Sequence, residues 1–159
     1  MPKKTVKKID KKDRRILDLL QKNARITNFD ISKDINLAPS ATLIRVRRLE
    51  SEGVIQSYSA KLNESLFNYG SLSFIWIKTI NPSKDAEFVE KLQTIPEVLE
   101  IHEVSGEFTY LVKVRTHDTH DLSRIIKEEI GQIDNVSAVN SVMTLKTFKE
   151  STKIPLDTK

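Results

Sequence analysis

Three arginines lie close together in the first third of the chain, within a segment that has the pattern of a helix. Arg45, Arg47 and Arg48 belong to the sequence LAPSATLIRVRRLESEGVI, residues 37–55. A guanidinium can bond a guanine edge through two hydrogen bonds or pair with a phosphate oxygen. Three of them on one helix suit a polyanion such as DNA, although a solvated amphipathic helix has the same composition.

The spacing of the apolar residues predicts which side of this helix is free. Pro39 suits a first helical turn and Gly53 a left-handed termination. Leu43, Val46 and Leu49 recur every three residues and define the inward stripe. We expect Arg47 and Arg48, opposite the stripe, to supply much of the DNA affinity. The complete predicted DNA-binding set is Ser40, Ala41, Ile44, Arg45, Arg47 and Arg48.

The charge is distributed unevenly along the 159 residues. Residues 1–62 contain 15 Lys+Arg against 7 Asp+Glu, a net charge of +8, and residues 63–159 contain 11 against 15, a net charge of −4. This asymmetry suggests that only the first part meets a polyanion. The chain has no cysteine and no apolar run of membrane-spanning length, so we expect a cytoplasmic protein without a membrane partner.

The residues before the arginines predict two further helices. Asp10 followed by Asp13, and Thr27 followed by Asp30, are helix-start signals. Asn36 suits the left-handed turn before the third helix. Three short helices, of which the last is basic, predict a helix-turn-helix. The partial alternation of residues 54–62 predicts a strand, either a wing or the start of a connector.

Two stretches of this part resemble a known family. LDLLQKNARIT and INLAPSATLIRVRRLESEGVIQSYSAKL are similar to the DNA-binding half of the leucine-responsive regulatory protein/asparagine-synthase regulator (Lrp/AsnC) family. Asn36 stands where a glycine is common in the family, and Ala38 where a serine usually caps the helix. The second departure costs about 1 kcal/mol of helix stability.

The second part predicts a βαββαβ order. Strands are expected over 71–80, 98–104, 108–115 and 136–148, with helices starting at Ser83 and Asp118. The halves repeat with a period of 38 residues, as in a ferredoxin-like domain. The Lrp/AsnC family has such a domain after its helix-turn-helix, and VSGEFTYLVK at 104–113 resembles its strand-turn-strand signature. We therefore expect an α+β protein: a winged or extended helix-turn-helix over 1–62, and a ferredoxin-like effector-binding and oligomerisation domain with a C-terminal tail over 63–159.

Both faces of the predicted sheet are apolar. The strand 71–80 alternates Phe74 and Trp76 with Ile75 and Ile77, and two helices cover only one sheet face. An uncovered apolar face predicts self-association. A homodimer, as in the family, or a larger assembly such as an octamer would also present two recognition helices to a palindromic site.

The loop before the third strand is the predicted effector site. The resemblance implies that an amino-acid effector binds near a G-x-x-D-Y word, matched here by Gly106, Glu107, Phe108, Thr109 and Tyr110. Thr109 stands where the family often has an acid, so Glu107 is the remaining candidate for the effector's ammonium group. The alternative is a hairpin without a ligand.

The sequence gives little indication of metal binding, nucleotide binding or catalysis. His117, Asp118, His120 and Asp121 suit a polar helix cap better than a metal site. Nucleotide-binding glycine motifs are absent from the sequence, and no catalytic set can be assembled, so we predict neither a cofactor nor an enzyme. The sequence predicts a DNA-binding transcription regulator of the Lrp/AsnC type. Two alternatives stay open: an architectural DNA-binding protein without an effector, and a metabolic binding module or enzyme.

Overall fold

A computed structural model describes residues 8–157, which form two compact units. The first unit contains residues up to Lys61 together with the tail from Glu150, and the second contains Leu62–Lys149. The predicted domain boundaries had joined this tail to the second domain. The tail belongs to the first unit because the Gln21 side chain accepts a hydrogen bond from the Ile154 N–H (2.7 Å) and donates one to its C=O (3.1 Å).

Three helices build the first unit: α1 (Lys11–Lys22), α2 (Asn28–Ile35) and α3 (Pro39–Ser51). The predicted caps are confirmed, since Asp10 forms a reciprocal capping box at the start of α1 and the Thr27 hydroxyl accepts a hydrogen bond at the start of α2. The helices enclose a small core of Ile16, Ile31, Ile35, Val46 and Leu49.

Local backbone geometry fixes both ends of α3. Asn36 is left-handed (φ 51°), so the predicted turn is confirmed, and Ala38 provides no side-chain cap. Gly53 has φ 73°, and the Val54 N–H donates to the Leu49 C=O at 2.9 Å, which is the bonding pattern of a Schellman termination.

The strand predicted for residues 54–62 is wrong for the part of the chain that the structure describes. An extended segment forms a strand only when its backbone pairs with another strand. None of the described strands pairs with residues 54–62. A side chain holds the segment instead, since the Tyr58 hydroxyl donates to Glu50 at 2.9 Å. Burial and then this carboxylate raise the pKa of Tyr58 to about 12.

The second unit is a four-stranded antiparallel sheet with helices on one face, as the βαββαβ prediction required. The elements are β1 (Ser71–Thr79), α4 (Asp85–Gln93), β2 (Val98–Glu103), β3 (Tyr110–Thr116), α5 (Thr119–Arg124), a π-helical continuation (Ile125–Ile130) and β4 (Val136–Met143). The strand order in the sheet is β2-β3-β1-β4.

Two details of β4 differ from the prediction. It ends at Met143, opposite Ser73, instead of near Phe148; the Thr144 N–H still donates to the Leu72 C=O at 2.8 Å, and β1 begins one residue before Leu72, at Ser71. A register shift opposite Lys78 and Thr79 also places Val136 against the helix-covered core together with Val139, whereas strict alternation along a strand puts residues three apart on opposite faces.

The two faces of β1 have different surroundings. Ile75 and Ile77 are fully buried against Phe88 and Leu92 of α4, so this face meets the helices. The core residues of α4 and α5 pack on that face alone, and we name the opposite side the open sheet face. Its apolar members are Leu72, Phe74, Trp76, Leu111 and Val142.

Within the described residues, no helix is long and apolar enough to cross a membrane.

Candidate nucleic-acid interface

The outward side of α3 presents three residues in a line. Ser40, Ile44 and Arg47 follow the i, i+4, i+7 spacing of one helix face, and all three are exposed, Ile44 by 69 %. We name them the outer row. Ala41, beside them, is half-buried. The line offers a hydroxyl, a branched apolar surface and a guanidinium, which can address a phosphate, a thymine methyl and a guanine edge.

The buried side of α3 is rotated from its predicted position. Thr42, Val46 and Leu49 are buried, whereas Leu43 is only half-buried. The Thr42 hydroxyl donates to the Ala38 C=O at 3.2 Å, so a polar side chain can occupy the core side of the helix. The rotation brings Arg45 to the side of α3 that faces α1.

Arg45 and Arg48 both bind a carboxylate of α1. Asp13, whose side chain is fully buried, accepts from Arg45 Nη1 at 2.8 Å and from Arg48 Nη2 at 2.5 Å. Their side chains are 29 % and 26 % exposed. A buried carboxylate is stable only when paired, and here each oxygen has a guanidinium partner. The prediction that Arg48 lies opposite the buried stripe is therefore wrong. Arg48 lies at the edge of the contact between α3 and α1, where it is partly exposed.

Asp10 adds a second carboxylate to this group. Arg45 Nη1 also donates to Asp10 Oδ2 at 2.7 Å. Burial alone would raise the pKa of Asp10, but hydrogen bonds from the Asp13 N–H and from Arg45 lower it below its usual value. The same two acids raise the pKa of Arg45, with the Asp10 hydrogen bond as the largest cause. Asp10 and Arg45 are therefore both charged at neutral pH.

In the sequence, Asp10 and Asp13 have only the pattern of helix-start residues. The missed signal is the position of Asp13, three residues before Ile16 on the inward side of α1. An acid on an apolar stripe needs a basic partner, and two arginines of α3 were available. Arg47 has no such partner: among the described residues it forms no ion pair or hydrogen bond, and it remains free for a ligand.

The predicted effector residues form the turn between β2 and β3. Gly106 has φ 133°, a conformation suited to glycine, and it and Glu107 are exposed. Phe108 is half-buried and its ring centroid lies 6.2 Å from that of Trp76. The exposed Glu107 thus directly precedes a residue of an aromatic pair.

Thr109 and Tyr110 are committed to contacts inside the unit. The Thr109 hydroxyl accepts from the Thr79 N–H at 3.3 Å and lies 3.2 Å from the Thr79 hydroxyl. Tyr110 is 5 % exposed, with its ring 5.0 Å from Phe88 in the core. Burial, and next the carboxylate of Asp85, raise the pKa of Tyr110. Of the five residues, only Gly106 and Glu107 are exposed.

The histidine and aspartate cluster acts as a helix cap. The Asp118 side chain accepts from the Asp121 N–H at 2.8 Å at the start of α5, and His117 packs on Tyr69 with ring centroids 4.1 Å apart. The described part of the chain contains no group of three or more side chains suited to a metal ion.

Comparison with known proteins identifies relatives of both units. Residues 9–56 match the family model for a winged helix-turn-helix DNA-binding domain, and residues 72–154 match the model for the Lrp/AsnC ligand-binding domain.

Individual relatives match over nearly the whole chain. The leucine-responsive regulatory protein of Escherichia coli is 35 % identical over 160 residues, covering 99 % of this chain and 97 % of the relative. The HTH-type transcriptional regulator FL11 of Pyrococcus furiosus is 33 % identical over 148 residues, covering 93 % and 97 %. A transcriptional regulator of Neisseria meningitidis, crystallised with L-methionine, superposes with a TM-score of 0.90 at 30 % identity, covering 94 % and 98 %.

Proposed function

Since the chain belongs to the Lrp/AsnC family of DNA-binding transcription regulators, we propose that the outer row of α3 is the surface that reads its operator. The supporting observation is the difference among the arginines. Within the described chain Arg47 is exposed and unpaired, while Arg45 and Arg48 already bind Asp13. In this arrangement Arg47 contacts a base or phosphate, Ile44 and Ala41 meet apolar base edges, and Ser40 bonds the backbone. Arg45 and Arg48 contribute mainly by fixing the helix.

Selection of binding sites from random duplex DNA tests this proposal. The purified chain should enrich one sequence pattern, and Ile44→Ser should relax the preference at one position while keeping the others. Enrichment of no pattern would contradict sequence-specific reading and would favour an architectural DNA-binding protein.

We further propose that the second unit binds an amino-acid effector near the 106–110 turn. The support is the relative crystallised with L-methionine and the exposed carboxylate of Glu107. An ammonium group loses water in a pocket and requires a compensating charge. Thr109 offers only a hydroxyl, which already bonds Thr79. Glu107 is thus the group we assign to the ammonium.

The proposed assembly is a homodimer formed through the open sheet face, with association of dimers into a larger oligomer such as an octamer as a further step. Phe74, Trp76 and Leu111 are only half-buried on this face and Val142 is 49 % exposed, which favours burial against a second copy. We place this assembly in the cytoplasm, because the matched relatives come from bacteria and archaea, whose chromosomes lie there.

A further inference from the structure

Asp10, Asp13, Arg45 and Arg48 form a closed charge group at the edge of the proposed DNA interface. Its two carboxylates balance its two guanidiniums, so the group adds no net charge to the surface. One nitrogen, Arg45 Nη1, lies within 2.8 Å of both acids. The charges of two of the three arginines on α3, Arg45 and Arg48, are therefore already balanced by carboxylates of the same unit.

The two acids differ in exposure. The side chain of Asp13 is fully buried, whereas that of Asp10 is 49 % exposed. Asp10 also lines a shallow depression together with Ala41 and Ile44, which belong to the predicted contact face. A duplex that meets this face therefore meets the Asp10 carboxylate.

The cap at the start of α1 does not require this charge. Asparagine and serine cap a helix about as well as aspartate, because each offers an oxygen to the backbone N–H. The negative charge does interact favourably with the start of the helix. Its distinctive consequence is at the surface, where it repels phosphate and occupies a donor of Arg45.

We propose that Asp10 is a specificity-determining residue, which weakens binding to DNA that offers phosphate contacts alone. Non-specific binding is almost entirely electrostatic, so a carboxylate beside Arg45 penalises it most. In the specific complex, base contacts fix the register of the duplex on the outer row, so a phosphate need not lie beside Asp10 and the free-energy penalty is smaller than in complexes held by phosphate contacts alone. This inference rests on the proposed interface at the outer row.

The test compares Asp10→Asn with wild type, using fluorescence anisotropy at several salt concentrations. The probes are the duplex selected by the wild-type protein and a scrambled duplex of equal length. Arg45 stays bound to Asp13, but the group without the Asp10 charge has a net charge of +1. This added charge should steepen the salt dependence by about one unit and tighten binding to the scrambled duplex about five- to tenfold. The ratio of the two affinities should fall. Asp10→Ser, a second neutral cap, should behave alike.

Asp18→Asn is the matched control. Asp18 also lies on α1, and its partners are Arg15 and Lys22 instead of an arginine of α3. The Asp18→Asn substitution removes one negative charge, as Asp10→Asn does. It should leave the ratio of the affinities for the selected and the scrambled duplex near the wild-type value. The inference is overturned if Asp10→Asn matches Asp18→Asn, or if it weakens binding to both duplexes as a purely structural loss would. A wrong assignment of the DNA interface to the outer row would give a different result: the wild-type protein would bind the two duplexes equally well.

Discussion

At the level of single residues, Asp13 is the side chain that links α3 to α1. It is the only fully buried carboxylate among the described residues, and it joins α1 to α3 through Arg45 and Arg48. From the sequence, Arg47 and Arg48 looked equally available, because a helical wheel shows the direction of a side chain but not its partner on another helix. The contact between Asp13 and the arginines spans more than 30 positions, so no local pattern reports it.

Replacing Asp13 by asparagine should destabilise the first unit strongly. The change leaves two guanidiniums without their buried partner, and breaking such a pair costs about 3 kcal/mol, the lower end of the usual range since both arginines can reach water. Urea denaturation followed by circular dichroism measures the loss. Asp18→Asn, which breaks only partly exposed pairs, should cost less than about 1 kcal/mol. Equal small losses for both variants would show that Asp13 is not a central contact.

At the level of helices and strands, the sequence predicted most boundaries because the signals are local. Caps at Asp10 and Thr27, the left-handed Asn36 and the glycine after α3 all depend on neighbouring residues. Two strand predictions differ from the structure, a strand over 54–62 and the end of β4, and both depend on backbone pairing between segments that are distant in sequence. The segment 54–62 finds no strand partner in the described chain, and β4 ends at Met143, opposite Ser73. The sequence also could not show which side of β1 faces the helices.

The structure separates two glutamate substitutions on adjacent residues of β1. Ile77 is 0 % exposed in the core, so Ile77→Glu buries an unpaired charge and should unfold the second unit. Trp76 lies on the half-buried open sheet face, and Trp76→Glu should leave a folded protein that no longer dimerises. Analytical ultracentrifugation together with circular dichroism distinguishes the two. A folded Trp76→Glu variant that sediments like a dimeric wild type would exclude this face as the interface.

At the level of the whole molecule, the two units divide DNA binding from the proposed effector sensing. The charge asymmetry along the sequence, +8 against −4, predicts this division, because a polyanion partner requires only one basic part. The effector site was harder to predict. Its outline follows from a family resemblance, but the engagement of Thr109 with Thr79 and the burial of Tyr110 depend on packing that a motif does not encode.

Calorimetric titration of the twenty amino acids tests the effector proposal. Wild type should bind at least one of them, and Glu107→Gln should weaken that binding severalfold, because a charge-assisted hydrogen bond is roughly twice as strong as a neutral one. Thr109→Asp should strengthen it by supplying a second carboxylate near Thr79. Tight binding of leucine that is unaffected by Glu107→Gln would show that the charge argument is wrong.

Binding of Arg47→Ala to the selected operator tests the central claim, that the outer row of α3 reads DNA. Arg47 is exposed and unpaired in the described structure, so its removal should leave the fold intact. Lys22→Ala, at the far end of α1, is the control for loss of one positive charge. We expect Arg47→Ala to weaken operator binding by about 1–3 kcal/mol, with relaxed specificity at one position for a base contact or a salt slope shallower by about one for a phosphate contact. Operator affinity, specificity and salt dependence equal to those of Lys22→Ala would contradict the account.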